Sequence, residues 1–189
     1  MRAKGNGAVV TANLAASGFA ALLGSALLIA SAKAQIPFWP VPMTLQTLVV
    51  VLLGVVMGPR LGLATVVLYL LEGAAGLPVF AGTPERGIGL VYMAGPTGGY
   101  LVGFAAAAWL AGVAAERGWT ATPLTRGLTI AAGFAVIYAL GAAWLSTLIG
   151  LPAALKAGIV PFLLGDAIKL ALGVALLEAV ARTRRLLDR

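Results

Sequence analysis

Asp166 and Lys169 stand three residues apart in the run Pro161-Phe-Leu-Leu-Gly-Asp166-Ala-Ile-Lys169. On a helix that spacing puts both on one face. A charged group in an apolar span is costly and is a functional candidate by default. The spacing leaves two readings open. The pair neutralises itself within one helix, or an acceptor and a cation point together into a cavity and suit a ligand with N–H donors and a carboxylate. Glu72 is the other acid within an apolar run, and its role is open. Glu85, Glu116, Glu178 and Asp188 each lie close to an arginine in a loop or near the end of a span, where solvated pairing suffices.

Around this pair, Gln46 and Thr44 open an apolar run, either lining the same cavity or capping a helix start. Tyr92, Tyr100 and Trp144 offer rigid apolar walls with polar tips, or belong to an interfacial aromatic belt. Phe80, between prolines and glycines, is a candidate lid residue. There is no Cys and no His, so disulfides, thiol chemistry and the usual zinc, haem and iron–sulfur ligand sets are excluded. No phosphate-cradling glycine loop with its lysine occurs, nor a chain of buried acids for a proton relay. We therefore expect no catalytic residue, no metal and no cofactor; a transporter built from this chain would need a partner to supply its energy.

The elements that position these residues follow from composition. Of 189 residues 61% are hydrophobic and 10% charged, and the mean hydropathy is +1.02. Soluble domains are about 25% charged, so this is a polytopic membrane protein. At roughly 20 residues per crossing, about six helices fit. One all-α membrane domain over 1–189 is expected, with spans at about 9–32, 45–57, 61–77, 100–115, 128–149 and 161–181. Spans two and three are short against a hydrocarbon core of roughly 30 Å, so they extend into their loops or are covered by protein. A β-barrel does not fit, because the runs do not alternate. Met1-Arg-Ala-Lys4, the long apolar run and Ala32-Lys-Ala34 imitate a secretory signal, but the run exceeds a usual signal core and is kept as the first span.

The net charge of +7 does not indicate a nucleic-acid partner. With a cytoplasmic N-terminus, nine basic residues lie inside (Arg2, Lys4, Arg60, Arg117, Arg126, Arg182, Arg184, Arg185, Arg189) and three outside (Lys33, Arg86, Lys156), Lys169 being within span six. That asymmetry and the even number of spans both put the two termini in the cytoplasm. The outer loops, 35–46 and 76–99, are rich in Pro and Gly and read as stiff lids over a ligand. Ala12, Ala16, Ala20 and Gly24 form a small-residue row on span one, either a docking surface for another helix or packing within this bundle. No convincing internal repeat is found, which argues against repeat-built secondary transporters.

Four motifs carry a resemblance: Pro40-Val-Pro-Met-Thr-Leu-Gln46, Gly76-Leu-Pro-Val-Phe-Ala-Gly82, Gly95-Pro-Thr-Gly-Gly-Tyr-Leu101 and Gly165-Asp-x-x-Lys169. In order and spacing they resemble BioY, the biotin-specific S-components of energy-coupling factor transporters. The resemblance implies a six-helix bundle of the S-component type in the cell membrane. It implies capture of biotin from outside, and delivery with a transmembrane coupling protein and two cytoplasmic ATPases. It also implies that Asp166 and Lys169 meet the ligand and that the row on the first helix meets the coupling protein. Loop 81–87 departs from the glycine-rich stretch of many relatives. An S-component for another vitamin, or a biotin transporter working without the coupling module, is the alternative; an intramembrane enzyme has too poor a catalytic set.

Overall fold

The computed structural model describes the backbone of residues 4–37 and 39–187 and the side chains over 14–37 and 39–183. Arg2, Asp188 and Arg189 lie outside the described residues, and Ala12, Arg184 and Arg185 outside the described side chains.

Helix α1 (Lys4–Lys33) leads into a short antiparallel ribbon of β1 (Gln35–Ile36) and β2 (Met43–Thr44), with Gln35 opposite Thr44. Next comes α2 (Gln46–Ala74), which is a hairpin. Gly58 breaks it with φ 79° and ψ 174°, and Pro59 follows. Only glycine takes that φ without strain, and a proline lacking an N–H is well suited to begin the next helix. The fold-back is direct: Gln46 Nε2 donates to the Tyr69 hydroxyl at 2.8 Å. A straight helix would hold those residues about 34 Å apart. The two arms touch where a Cβ on Gly62 would lie 2.9 Å from Gly54 Cα.

Expected spans two and three are therefore the arms 46–57 and 59–74, joined by the expected turn at Gly58-Pro59-Arg60. The first arm, about 18 Å long, is too short to face lipid alone. It is wrapped by protein instead, with only Val56 in it classed as exposed. A loop-bound helix α3 (Gly89–Met93) precedes α4 (Gly98–Glu116). Helix α5 (Pro123–Ile149) starts five residues before the expected span, because Thr122 and Thr125 cap each other's backbone and Pro123 occupies the first turn. After Gly150 come the short α6 (Leu151–Gly158), a 3₁₀ turn over Val160–Phe162, and α7 (Leu163–Leu187). Pro161 thus sits in the 3₁₀ turn rather than at the start of the last helix.

Among the described residues, five helices are long and apolar enough to cross a membrane. Since α2 is folded in two, they make six passes, and the chain is a multi-pass, all-α membrane bundle. Between apolar helices in lipid, association rests on close packing, and small residues permit it. The hairpin lies on α4 this way: a Cβ on Gly54 would be 2.2 Å from the Ala108 carbonyl oxygen, and one on Gly112 would be 2.3 Å from Pro59 N. The buried core runs through Val50, Val51, Val66, Ala107, Ile130 and Ile137. At one end lie the ribbon, the loops 75–97 and α6; at the other, the Gly58 turn and the 117–122 connection with their arginines.

Candidate functional site

At the loop-rich end the helices splay around a cavity of about 500 Å³, part of it open to solvent. Its polar residues come from helices that cannot leave them unpaired in an apolar interior. In the first turn of α7, Asp166 accepts a hydrogen bond from the Tyr138 hydroxyl of α5 and another from Lys169 at 2.9 Å. Lys169 also donates to Thr47 Oγ1 of α2 at 3.2 Å. Asp166 and Lys169 are each 5% exposed, so the intrahelical pair does exist. It is tied to two other helices as well. Lys169, Thr47 and Tyr138 line the cavity, while Asp166 stands directly behind them.

A second polar group supports the opposite wall. Thr44 Oγ1 accepts from the Gln46 backbone N–H at 3.2 Å, a local turn that starts α2. Gln46 in turn holds the Tyr69 hydroxyl, which donates to the Val79 carbonyl at 3.3 Å. The Thr44 side chain thus orders the helix start, and both Thr44 and Gln46 line the cavity. The aromatic walls are two stacks. Phe80 lies flat against Tyr92, centroids 4.8 Å apart, and edge-on to Tyr69 at 5.5 Å. Tyr138 lies flat against Phe162 at 6.0 Å and edge-on to Tyr100 at 6.3 Å.

Loop 77–87 carries Phe80 into this site and is pinned there. Lys33, at the end of α1, donates to the Phe80 carbonyl at 3.0 Å and to Thr83 Oγ1 at 3.2 Å. Arg86 donates to the Pro40 carbonyl at 3.0 Å, joining the two lid loops. Tyr92 donates to the Ala81 carbonyl at 2.6 Å, and burial pushes its phenol pKa above the ordinary value. The Phe80 ring fills the space above Gly73, where a Cβ would come within 2.0 Å of Cζ.

Thr44, Gln46, Phe80, Tyr92, Tyr100 and Lys169 therefore meet in one cavity. Trp144 does not. Its indole N–H donates to the Gly95 carbonyl at 2.9 Å, its ring packs over Gly99, and 40% of it is exposed on the outside of the α4–α5 contact. The small-residue row also divides. Gly24 is buried against α2, where a Cβ would lie 2.5 Å from Thr65 Cγ2, so it serves packing within the bundle. Ala16 is exposed and Ala20 half-buried. Glu72 accepts from Ser25 of α1, which accounts for its place in an apolar span. Sequence reasoning missed Tyr69, Tyr138 and Thr47. The signal was available: Tyr69 and Tyr138 fall inside apolar spans rather than near their ends, and a hydroxyl there requires a partner. Among the described residues no cluster of acids suits a metal ion.

Three comparisons bear on this arrangement. The profile described as the BioY family matches residues 6–186. The probable biotin transporter BioY of Pyrococcus horikoshii is 37% identical over 153 residues, which cover 81% of this chain and 88% of that protein. The biotin transporter BioY of Thermotoga maritima is 41% identical over 148 residues, covering 77% of this chain and 84% of that one. Among solved structures, the crystal structure of the S-component for biotin from an ECF-type ABC transporter matches with a TM-score of 0.78 and 25% identity. That match covers 90% of this chain and 93% of its counterpart.

Proposed function

This chain belongs to the BioY family, and from that premise we propose that it is the substrate-binding S-component of an energy-coupling factor transporter, with biotin as its ligand. The observation that carries the site is the buried Asp166–Lys169 pair, presented through Tyr138 and Thr47 to a cavity walled by aromatic rings. Biotin is a ureido ring fused to a thioether ring, with an acyl chain ending in a carboxylate. The ureido N–H groups need acceptors, and its carbonyl needs donors. Asp166, reached where the ligand displaces the Tyr138 hydroxyl, supplies charge-assisted acceptance, and Lys169, which has a third N–H beyond its two bonds, supplies donation. Phe80, Tyr92 and Tyr100 cover the apolar rings and chain. A ureido group left unpaired costs about 1–3 kcal/mol per contact, so the site discriminates against analogues lacking one.

Capture is a loop movement. Release of the Lys33 and Arg86 contacts frees loop 77–87, lifts Phe80 and opens the cavity; their return encloses the ligand. The whole of 1–189 works as one membrane unit with both termini in the cytoplasm, supported by the arginines gathered at one end. Delivery then falls to a transmembrane coupling protein and two cytoplasmic ATPases. The exposed face of α1 around Ala16 and Ala20, flanked by exposed Leu23 and Leu27, is the surface for the coupling protein. No residue is assigned a catalytic role, and no cofactor is required.

The test is calorimetric titration of the purified chain with biotin, alongside other carboxylated vitamins, with no ATPase present. Tight one-to-one binding of biotin alone is expected. Preference for another vitamin would reassign the ligand, and no binding to any would overturn a stand-alone capture role.

A further inference from the structure

A second, larger cavity lies far from this site, at the arginine-bearing end, between the outward faces of α4 and α5. It measures about 990 Å³, is open along one side, and is walled by Trp109, Val113 and Trp119 on one flank and Leu128, Thr129 and Ala132 on the other. Trp109 and Trp119 are 50% and 57% exposed, and Leu128 is also exposed. Arg117 stands at its mouth, with the guanidinium 5.4 Å from the Trp119 ring centroid. The Trp119 turn is fixed from below: its N–H donates to the Ala114 carbonyl at 2.8 Å, and Thr129 Oγ1 donates to its carbonyl at 3.4 Å.

We propose that this groove binds one anionic phospholipid of the cytoplasmic leaflet, with an acyl chain between α4 and α5 and the phosphate on Arg117. Three observations select that occupant. A groove on membrane-spanning helices opens to hydrocarbon, where water is excluded and an apolar chain fits. From Trp109 to Arg117 the rise along α4 is about 12 Å, less than half of a core of roughly 30 Å, which is the reach of one leaflet. The charge at the mouth is a cation without an acidic neighbour in the lining; Glu116 turns the other way, its Oε1 lying within 3.5 Å of where a Gly58 Cβ would be. An arginine stacked on an interfacial tryptophan is held at headgroup depth, where it attracts anionic lipid by about 1 kcal/mol, or about fivefold.

The full chain is reconstituted in phosphatidylcholine vesicles with a minor fraction of phosphatidylglycerol, one of the two carrying bromine on its acyl chains. Trp39→Phe and Trp144→Phe leave Trp109 and Trp119 as the reporters. Brominated phosphatidylglycerol is expected to quench about fivefold more per molecule than brominated phosphatidylcholine, and Arg117→Gln to equalise them without changing ligand binding at the opposite end. Equal quenching by both headgroups in the parent, or a preference that survives Arg117→Gln, overturns the proposal. So does no quenching by either, which means that a protein surface covers the groove. Native mass spectrometry of the chain with all four tryptophans in place gives an independent reading: a retained phosphatidylglycerol that Arg117→Gln loses supports it, and equal retention refutes it.

Discussion

Replacing Asp166 with Asn separates the structural and the binding roles of the buried pair. In the native site the carboxylate accepts from both Tyr138 and Lys169, and both charged residues are almost fully buried. Asparagine keeps an acceptor but removes the charge, so Lys169 is left as a buried cation with only neutral partners, the amide oxygen and Thr47. Breaking one side of a buried pair costs about 3–5 kcal/mol of stability. Binding loses a charge-assisted hydrogen bond of about 1.5–3 kcal/mol, a fall in biotin affinity of about ten- to 150-fold. The companion variant carries Asp166→Asn with Lys169→Met, which removes both charges at similar side-chain length. It should regain most of the lost thermal stability, because no buried charge is left uncompensated, and should still bind weakly. The assay is a melting curve and a biotin titration on each variant in detergent. Affinity within threefold of the parent in the single variant would refute the site. Recovery of affinity together with stability in the double variant would refute a ligand role for the pair and leave it structural.

Gly73→Ala puts a Cβ into the Phe80 ring. The overpacking cost of about 1–3 kcal/mol should speed biotin release on the order of tenfold in stopped flow; an unchanged off-rate would remove Phe80 from the lid. Lys33→Gln loses an ammonium that holds Phe80 and Thr83. An off-rate raised about two- to tenfold, with faster amide exchange over 80–86, is expected. Gly58→Ala forces φ 79° and ψ 174° on an L-residue, costing about 1–3 kcal/mol. The melting temperature should drop while biotin affinity holds; an unchanged melting temperature would contradict a hairpin turn that requires glycine.

Composition alone determined that this chain lives in a membrane and is helical, because runs of this length and apolarity have no other stable form in lipid. The spacing of Asp166 and Lys169 placed them on one face, and the isolation of their charge marked them, since both facts are local to one helix. The turn at Gly58-Pro59 was legible too, as both residues state their backbone preference outright. What the sequence could not contain is which partner each polar group finds across the bundle. Tyr138 reaches Asp166, Thr47 reaches Lys169 and Gln46 reaches Tyr69 only after α2 has folded back and α5 and α7 have closed around it. The same packing took Gly24 for the interior and left Trp144 on the outside. A small-residue row has the same appearance whichever helix it meets, and an indole near a span's end can turn to either side. Contacts between distant segments decide both, and those exist only in the assembled bundle.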